Sequence, residues 1–134
     1  MIILNASSSL DSDEKHQDSI NDRDSYFPSP SVFVYTLANI MTGEISIRHM
    51  IKGESAVFIS ERPDPDLIFR TVSELFTANR VSCCITGWIE AYHENLSSAL
   101  MLVENKVTIK PYLEPEEIII FAPSNIERIF KEAL

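Results

Sequence analysis

The chain has 134 residues, with eleven Lys and Arg against twenty Asp and Glu, a formal charge of −9 at pH 7. A composition of 45% hydrophobic, 9% aromatic and 23% charged residues excludes disordered, collagenous and disulfide-scaffold classes, and it fits one globular domain over residues 1–134. The negative charge disfavours nucleic acid and anionic membrane surfaces as partners, because both carry the same sign.

In chain order, Met1-Ile2-Ile3-Leu4-Asn5-Ala6 reads as a short buried strand. No stretch reaches the roughly 20 apolar residues of a membrane span, and the opening residues lack the charged and apolar layout of a signal peptide, so the expected location is the cytoplasm. Ser7 to Pro30 holds six acids, two bases, seven serines and two prolines without helical or strand periodicity, and it reads as a polar loop. A loop that long is expected to wrap a partner surface or to belong to a larger architecture.

From Ser31 onward Phe33, Leu37, Ile40, Met41, Ile45 and Met50 recur at helical spacing, which predicts a helix over 31–50 that stops at Gly53. Gly43 inside it implies a close neighbouring backbone or a break into two pieces. Ser55 to Ser60 reads as a strand. Asp64, Pro65 and Asp66 then supply an N-cap, a favoured first position and an acid matched to the helix dipole, and Ile68, Val72, Leu75 and Phe76 form one apolar face. These predict a helix over 64–79.

Val81 to Thr86 is an apolar run ended by Gly87, the pattern of a strand covered on both faces. Ala99 to Glu104 and Val107 to Lys110 flank Asn105 and Lys106 as a hairpin, or as one strand bent at Asn105. Glu117 to Ala122 predicts another strand, and Ser124 with Glu127 forms a capping box ahead of a terminal helix. Strands alternating with helices make the fold class α/β, a mixed sheet with covering helices and an antiparallel strand pair near the C-terminus.

Candidate chemistry is sparse. Cys83 and Cys84 are adjacent within an apolar run, a geometry suited neither to a long-range disulfide nor to a metal site, and burial in mid-strand would raise their pKa. His16, His49 and His93 are scattered with no acid at metal-ligand spacing, so no metal is expected, and His49 with Arg48 and Lys52 complements a helix C-terminus. Ser60 has no histidine near it in sequence, which argues against a serine hydrolase. Glu90 and Glu104 at strand ends read as solvated acids. No Gly-rich loop with Lys and Ser or Thr exists to cradle phosphates, and no cofactor is called for. Trp88 reads as a core plug or an interface anchor.

The run Ser29-Pro30-Ser31-Val32-Phe33-Val34-Tyr35-Thr36-Leu37-Ala38-Asn39-Ile40-Met41-Thr42-Gly43-Glu44-Ile45-Ser46-Ile47-Arg48, followed by Gly53, then Gly87-Trp88-Ile89-Glu90 and Ala99 to Glu104, resembles the N-terminal half of the β-ketoacyl synthases. The likeness covers residues 1–104 except the polar stretch, and Gly43, Gly53 and Gly87 fall where the family pattern uses glycine. It implies a thiolase-like half-domain. The family nucleophile is a cysteine on the turn after the strand that follows Gly53, and here that position falls near Arg62, while Leu67, Ile68 and Phe69 replace the small residues of the acyl passage. The family's catalytic histidines come from a second half that this chain lacks, so it reads as a short homologue or a fragment.

What the resemblance implies is a non-catalytic or auxiliary subunit of fatty-acid or polyketide biosynthesis, with no catalytic residue of its own. In the family the strand before the nucleophile lies at a sheet edge and pairs across a dimer two-fold, which makes Ser55, Val57 and Ile59, with Trp88, interface candidates in a homodimer or in a heterodimer with a ketosynthase. An acyl carrier protein would be acidic, so its docking is disfavoured by the net charge. The alternatives are a 3-oxoacyl-ACP synthase type of acyltransferase acting with a partner, and a protein-binding module that recognises its target through residues 7–30.

Overall fold

The computed structural model describes residues 1–24, 26–105 and 118–134. The elements are β1 (Ile2–Asn5), α1 (Leu10–Ile20), α2 (Pro30–Val34), α3 (Ile40–His49), β2 (Ala56–Ile59), α4 (Pro65–Thr77), β3 (Cys83–Tyr92), β4 (Asn95–Glu104) and α5 (Pro123–Ala133). They form an α/β fold around one four-stranded mixed sheet in the order β2-β1-β3-β4. The pairs β1/β2 and β1/β3 are parallel, and β3/β4 is antiparallel over its full length, from Cys83 opposite Glu104 to Tyr92 opposite Asn95.

Strand alternation divides the sheet into two unlike faces. One face presents Ile2, Leu4, Cys84, Trp88, Ala99 and Val103 to Ile68 and Val72 of α4 and to Ile126 and Phe130 of α5, and these residues form the hydrophobic core. Helix α4 forms as expected: the Asp64 side chain accepts a 2.9 Å bond from the Leu67 amide, Pro65 occupies the first turn, and Ile68 and Val72 are buried. On the opposite face Ile3 is buried, whereas Leu96, Leu100 and Leu102 of β4 are 73%, 49% and 63% exposed.

Several expectations are corrected. Residues 7–30 are not one loop, because α1 occupies their middle. It has no buried residue, so no apolar period betrays it; its stabilisation includes Asp11 and Asp13 in the first turn and a Lys15–Asp11 pair at 2.6 Å. The 31–50 helix is two helices. Ser29 caps α2 through a bond from Val32 N, Tyr35 N and Thr36 N fold back onto Val32 O and Phe33 O, and α3 begins afresh at Ile40. Gly43 is neither the break nor a close approach, since a Cβ there would meet open space. Helix α3 ends because Met50 turns left-handed at φ 53°, with Gly53 lying beyond in the link to β2.

Gly87 does not end its strand. At φ +147° it lets the β4 backbone pass so close that a Cβ would collide with the Ala99 carbonyl oxygen, and β3 runs on to Tyr92. The strand is not covered on both faces throughout, for Cys83 is exposed. The hairpin turn is at His93 and Glu94, with His93 at φ 52°, so the partner of the 83–92 strand is Asn95–Glu104. Val107 to Lys110 and Glu117 lie outside the described residues, and Ile118 to Ala122 are not in a strand. Ser124 forms no capping box: Ala122 is the N-cap of α5 and Pro123 opens it, which puts Ser124 inside the first turn.

The close passage at Gly87 makes a side chain there intolerable. Gly87→Ala should destabilise the fold by roughly 3 kcal/mol, from the strained backbone and the overlap with the Ala99 carbonyl together. A denaturant midpoint that fell far less would show that the two strands separate without cost.

Candidate functional site

In an open α/β sheet, ligands collect outside the carboxyl ends of parallel strands where the strand order reverses. Here that point lies between β1 and β3, and the residues gathered there are Asn5 at the end of β1, Ala6, Ser7, Ser8 and Ser9 after it, Glu90 and Tyr92 at the end of β3, and His93 in the turn beyond. Glu90 sits among them at 6% exposure. Its Oε2 accepts bonds from Ala6 N at 2.8 Å, Ser7 N at 3.3 Å and Asn5 Nδ2 at 3.3 Å, and its Oε1 accepts the Ser7 hydroxyl. Asn5 Nδ2 also donates to Ile89 O at 2.7 Å, and Asn5 Oδ1 accepts the amide of Ser8, which stands at φ 56°.

Glu90 is therefore not a solvated acid, as its place near a strand end suggests. Amides at the start of a strand-to-helix turn are ordinarily a receptor for phosphate or another anion. In this chain the receptor is filled by the protein's own carboxylate. A phosphate would have to displace a buried, charge-assisted bond set from a chain of formal charge −9, so the geometry opposes phosphate chemistry at this end of the sheet.

Beside this knot lies a recess of about 260 Å³. Ser8, Ser9, Asp11 and Ser12 wall one side of it, Tyr35, Leu37, Ala38, Ile40 and Met41 the other, and Ile89 and Ala91 lie beneath. Over its rim Glu14 of α1 accepts the Tyr92 hydroxyl at 2.8 Å on Oε1, and His93 Nε2 lies 2.8 Å from Glu14 Oε2. Glu14 raises the Tyr92 pKa by holding its proton, and the Lys15 ammonium lowers that of Asp11. A second recess, about 530 Å³ and largely apolar, lies between α4, α5 and the end of β4, with Phe69, Phe76, Met101, Val103, Ile126 and Ile129 among its walls.

The remaining sequence candidates are dispersed. Arg62 lies exposed in the turn between β2 and α4, where Ser60 Oγ donates to its carbonyl oxygen at 2.7 Å. Asp64 caps α4 and Asp66 stands in its first turn, so two acids occupy the helix N-terminus at which a nucleophile and oxyanion would need unopposed positive potential. Ser55, Val57 and Ile59 lie along the outer edge of the sheet. Ala56 N and Ser60 N bond back to Met1 O and Asn5 O, which turns the backbone groups of Val57 and Ile59 outward. Trp88 does not join them. It is a core residue, 5% exposed, whose Nε1 donates to Ser97 Oγ at 3.3 Å.

Cys83 and Cys84 are both free, the first exposed and the second buried among Ile2, Leu4 and α4, where desolvation pushes its thiol pKa up. The His16 ring lies tilted against Phe33 at 5.3 Å, His49 is exposed at the end of α3, and the three histidines do not converge. Among the described residues no group of three or more His, Cys, Asp or Glu is placed to hold a metal ion, and no helix is long and apolar enough to cross a membrane. Sequence reasoning missed the Glu90 knot and the Glu14 bridge. The available signal was parity: Glu90 stands two residues after Trp88 on a strand, and so on the core-facing side.

No family model matches the sequence, and neither does any curated protein or any solved structure.

Two measurements check the site. Glu90→Gln keeps the shape but turns an amide NH₂ toward donors and removes the charge; it should cost about 2–3 kcal/mol in a denaturant titration, the worth of a charged acceptor for buried N–H groups. The raised pKa of Cys84 keeps its thiol protonated near neutrality, so an alkylating reagent should add once, at Cys83, to the folded chain and twice to the unfolded one. Intact mass spectrometry distinguishes the two states, and rapid double addition to the folded chain would contradict the burial of Cys84.

Proposed function

We propose that this chain is a β-ketoacyl-synthase-like subunit with a thiolase-like layered half-domain that has lost its own nucleophile, and that it acts as an auxiliary partner of a catalytic ketosynthase in fatty-acid or polyketide-type biosynthesis. The observation that carries the proposal is the start of α4. The family pattern matched between Ser29 and Gly87 calls for a cysteine near Arg62, and the helix that would activate it is capped by Asp64 and followed by Asp66. Both acids would raise a thiol pKa and repel an oxyanion, so the turn has been remade for stability rather than for acyl transfer.

The placement of β2 supports the partner. It lies at the end of the strand order, as the resemblance requires of a strand that pairs across a two-fold axis, with Ser55 and Ile59 exposed and the backbone of Val57 and Ile59 directed away from β1. A short, half-apolar edge of this kind gains both hydrogen bonds and apolar burial from a matching strand. The reading places the protein in the cytoplasm with no cofactor, and the net charge leaves an acyl carrier protein as a poor direct partner.

The test is the native mass by light scattering of the chain alone and after mixing with the ketosynthase encoded nearest to it. A mixed complex is expected. Ile59→Pro should abolish it while leaving far-ultraviolet circular dichroism unchanged, because proline removes an outward N–H and spares the bonds to β1. A chain that never associates with the ketosynthase overturns the auxiliary-subunit reading, and a complex indifferent to Ile59→Pro overturns the placement of the interface.

A further inference from the structure

Helix α1 is unusual among the elements that meet the sheet, because none of its residues is fully buried. Its ties to the rest of the protein are few and mostly polar. Ser9 Oγ donates to Thr36 O at 2.9 Å, the His16 ring lies tilted against Phe33, Asp11 faces His93, and Glu14 reaches the end of the sheet, where its carboxylate holds both Tyr92 and His93 at the β3–β4 turn. On its N-terminal side the chain is pinned: the amides of Ala6 and Ser7 are fixed by Glu90, and the next residue, Ser8, takes the left-handed conformation at φ 56°. A pinned segment, a single left-handed residue and then a helix with no fully buried residue together have the form of a hinge with an arm.

The arm lies over something. The first turn of α1 walls the recess whose floor is Ile89 and Ala91. These residues share a sheet face with Ile85 and, across the β3–β4 register, with the exposed Leu96, Leu100 and Leu102. That face is free of charge from Ile85 to Ala91 and from Leu96 to Leu102.

We propose that α1 is a hinged strap, swinging at Ser8 and clasped by Glu14 against Tyr92 and His93, and that release of the clasp uncovers the Ile89 end of the apolar β3–β4 face. The direction of motion is set by the hinge: residues up to Ser7 stay with Glu90, and residues from Ser9 to Ile20 move. The strap is independent of the reading of β2, which lies at the other end of the sheet.

The experiment is hydrogen exchange by mass spectrometry on the whole chain, comparing the parent with Glu14→Ala. Alanine is the better helix former, so faster exchange in the variant cannot come from lost propensity. Amides of residues 10–20 should exchange about two- to fivefold faster, the loss of part-exposed bonds, while those of β1 and β3 are unchanged. Tyr92→Phe should reproduce part of the acceleration. Lys15→Gln, which breaks only the exposed pair with Asp11 inside the helix, should not reproduce it. A hydrophobic dye, anilinonaphthalene sulfonate, should fluoresce more strongly with Glu14→Ala than with the parent.

The clasp is refuted by unprotected exchange of residues 10–20 in the parent, by unchanged rates in Glu14→Ala, by an acceleration that spreads to β1 and β3, or by an equal effect of Lys15→Gln. Unchanged dye emission would refute the uncovering of the sheet face.

Discussion

One buried carboxylate organises this molecule. Glu90 lies where β1 turns into the segment leading to α1, and it accepts the Ala6 and Ser7 amides, the Ser7 hydroxyl and the Asn5 side chain. Without it the two amides would be left under the edge of the sheet with no acceptor, each costing about 1–3 kcal/mol. With it the ends of β1 and β3 are held together beyond the last ladder pair, Leu4 opposite Trp88, and the parallel register is fixed from both sides. The side chain that does this comes from a residue two places beyond Trp88, so the polar knot and the core plug are set by the same strand.

The same logic recurs at α4. A helix N-terminus and a strand-to-helix turn are the two places in an α/β fold that most readily bind an anion or activate a nucleophile. Here the first is taken by Asp64 and Asp66, and the second by Glu90. An acidic chain that fills its own anion receptors gains fold stability at the expense of sites for acidic substrates. Among the described residues, the unpaired groups of this fold are therefore those at the apolar edge and on the exposed face of the sheet rather than at its polar ends.

The sequence was legible where a local rule and tertiary burial agree. Helix α4 could be read from Asp64-Pro65-Asp66 and four apolar positions because its cap and its buried face coincide with those signals. Strand β2 was legible from its short apolar run, whereas the antiparallel partner of 95–104 was misassigned, because the turn at His93 and Glu94 carries no Gly or Pro. Helix α1 was hidden, since periodicity detects helices by what they bury and this one buries nothing. The α2–α3 division was obscured because Leu37 keeps helical spacing across a break made by backbone bonds at Tyr35 and Thr36, which leave no apolar signature. Ile118 to Phe121 show the converse: a strong strand propensity by itself does not place a segment in a ladder. Glu90 was misjudged because its partners, two backbone amides and two side chains, lie more than eighty residues away in sequence.

The two faces of the sheet then differ in kind, not just in degree. The face under α4 and α5 is closed by aliphatic and aromatic side chains whose burial is worth about 1.5–3 kcal/mol each, so it opens only when the protein unfolds. The face toward α1 is closed at one end by a helix held through hydrogen bonds that are half exposed to water, and such bonds are worth little against solvent. Opening therefore costs less on that side than under α4 and α5. Leu96, Leu100 and Leu102 already stand in water there, which stabilises any arrangement that covers them and makes this face the one where a second surface gains most by arriving.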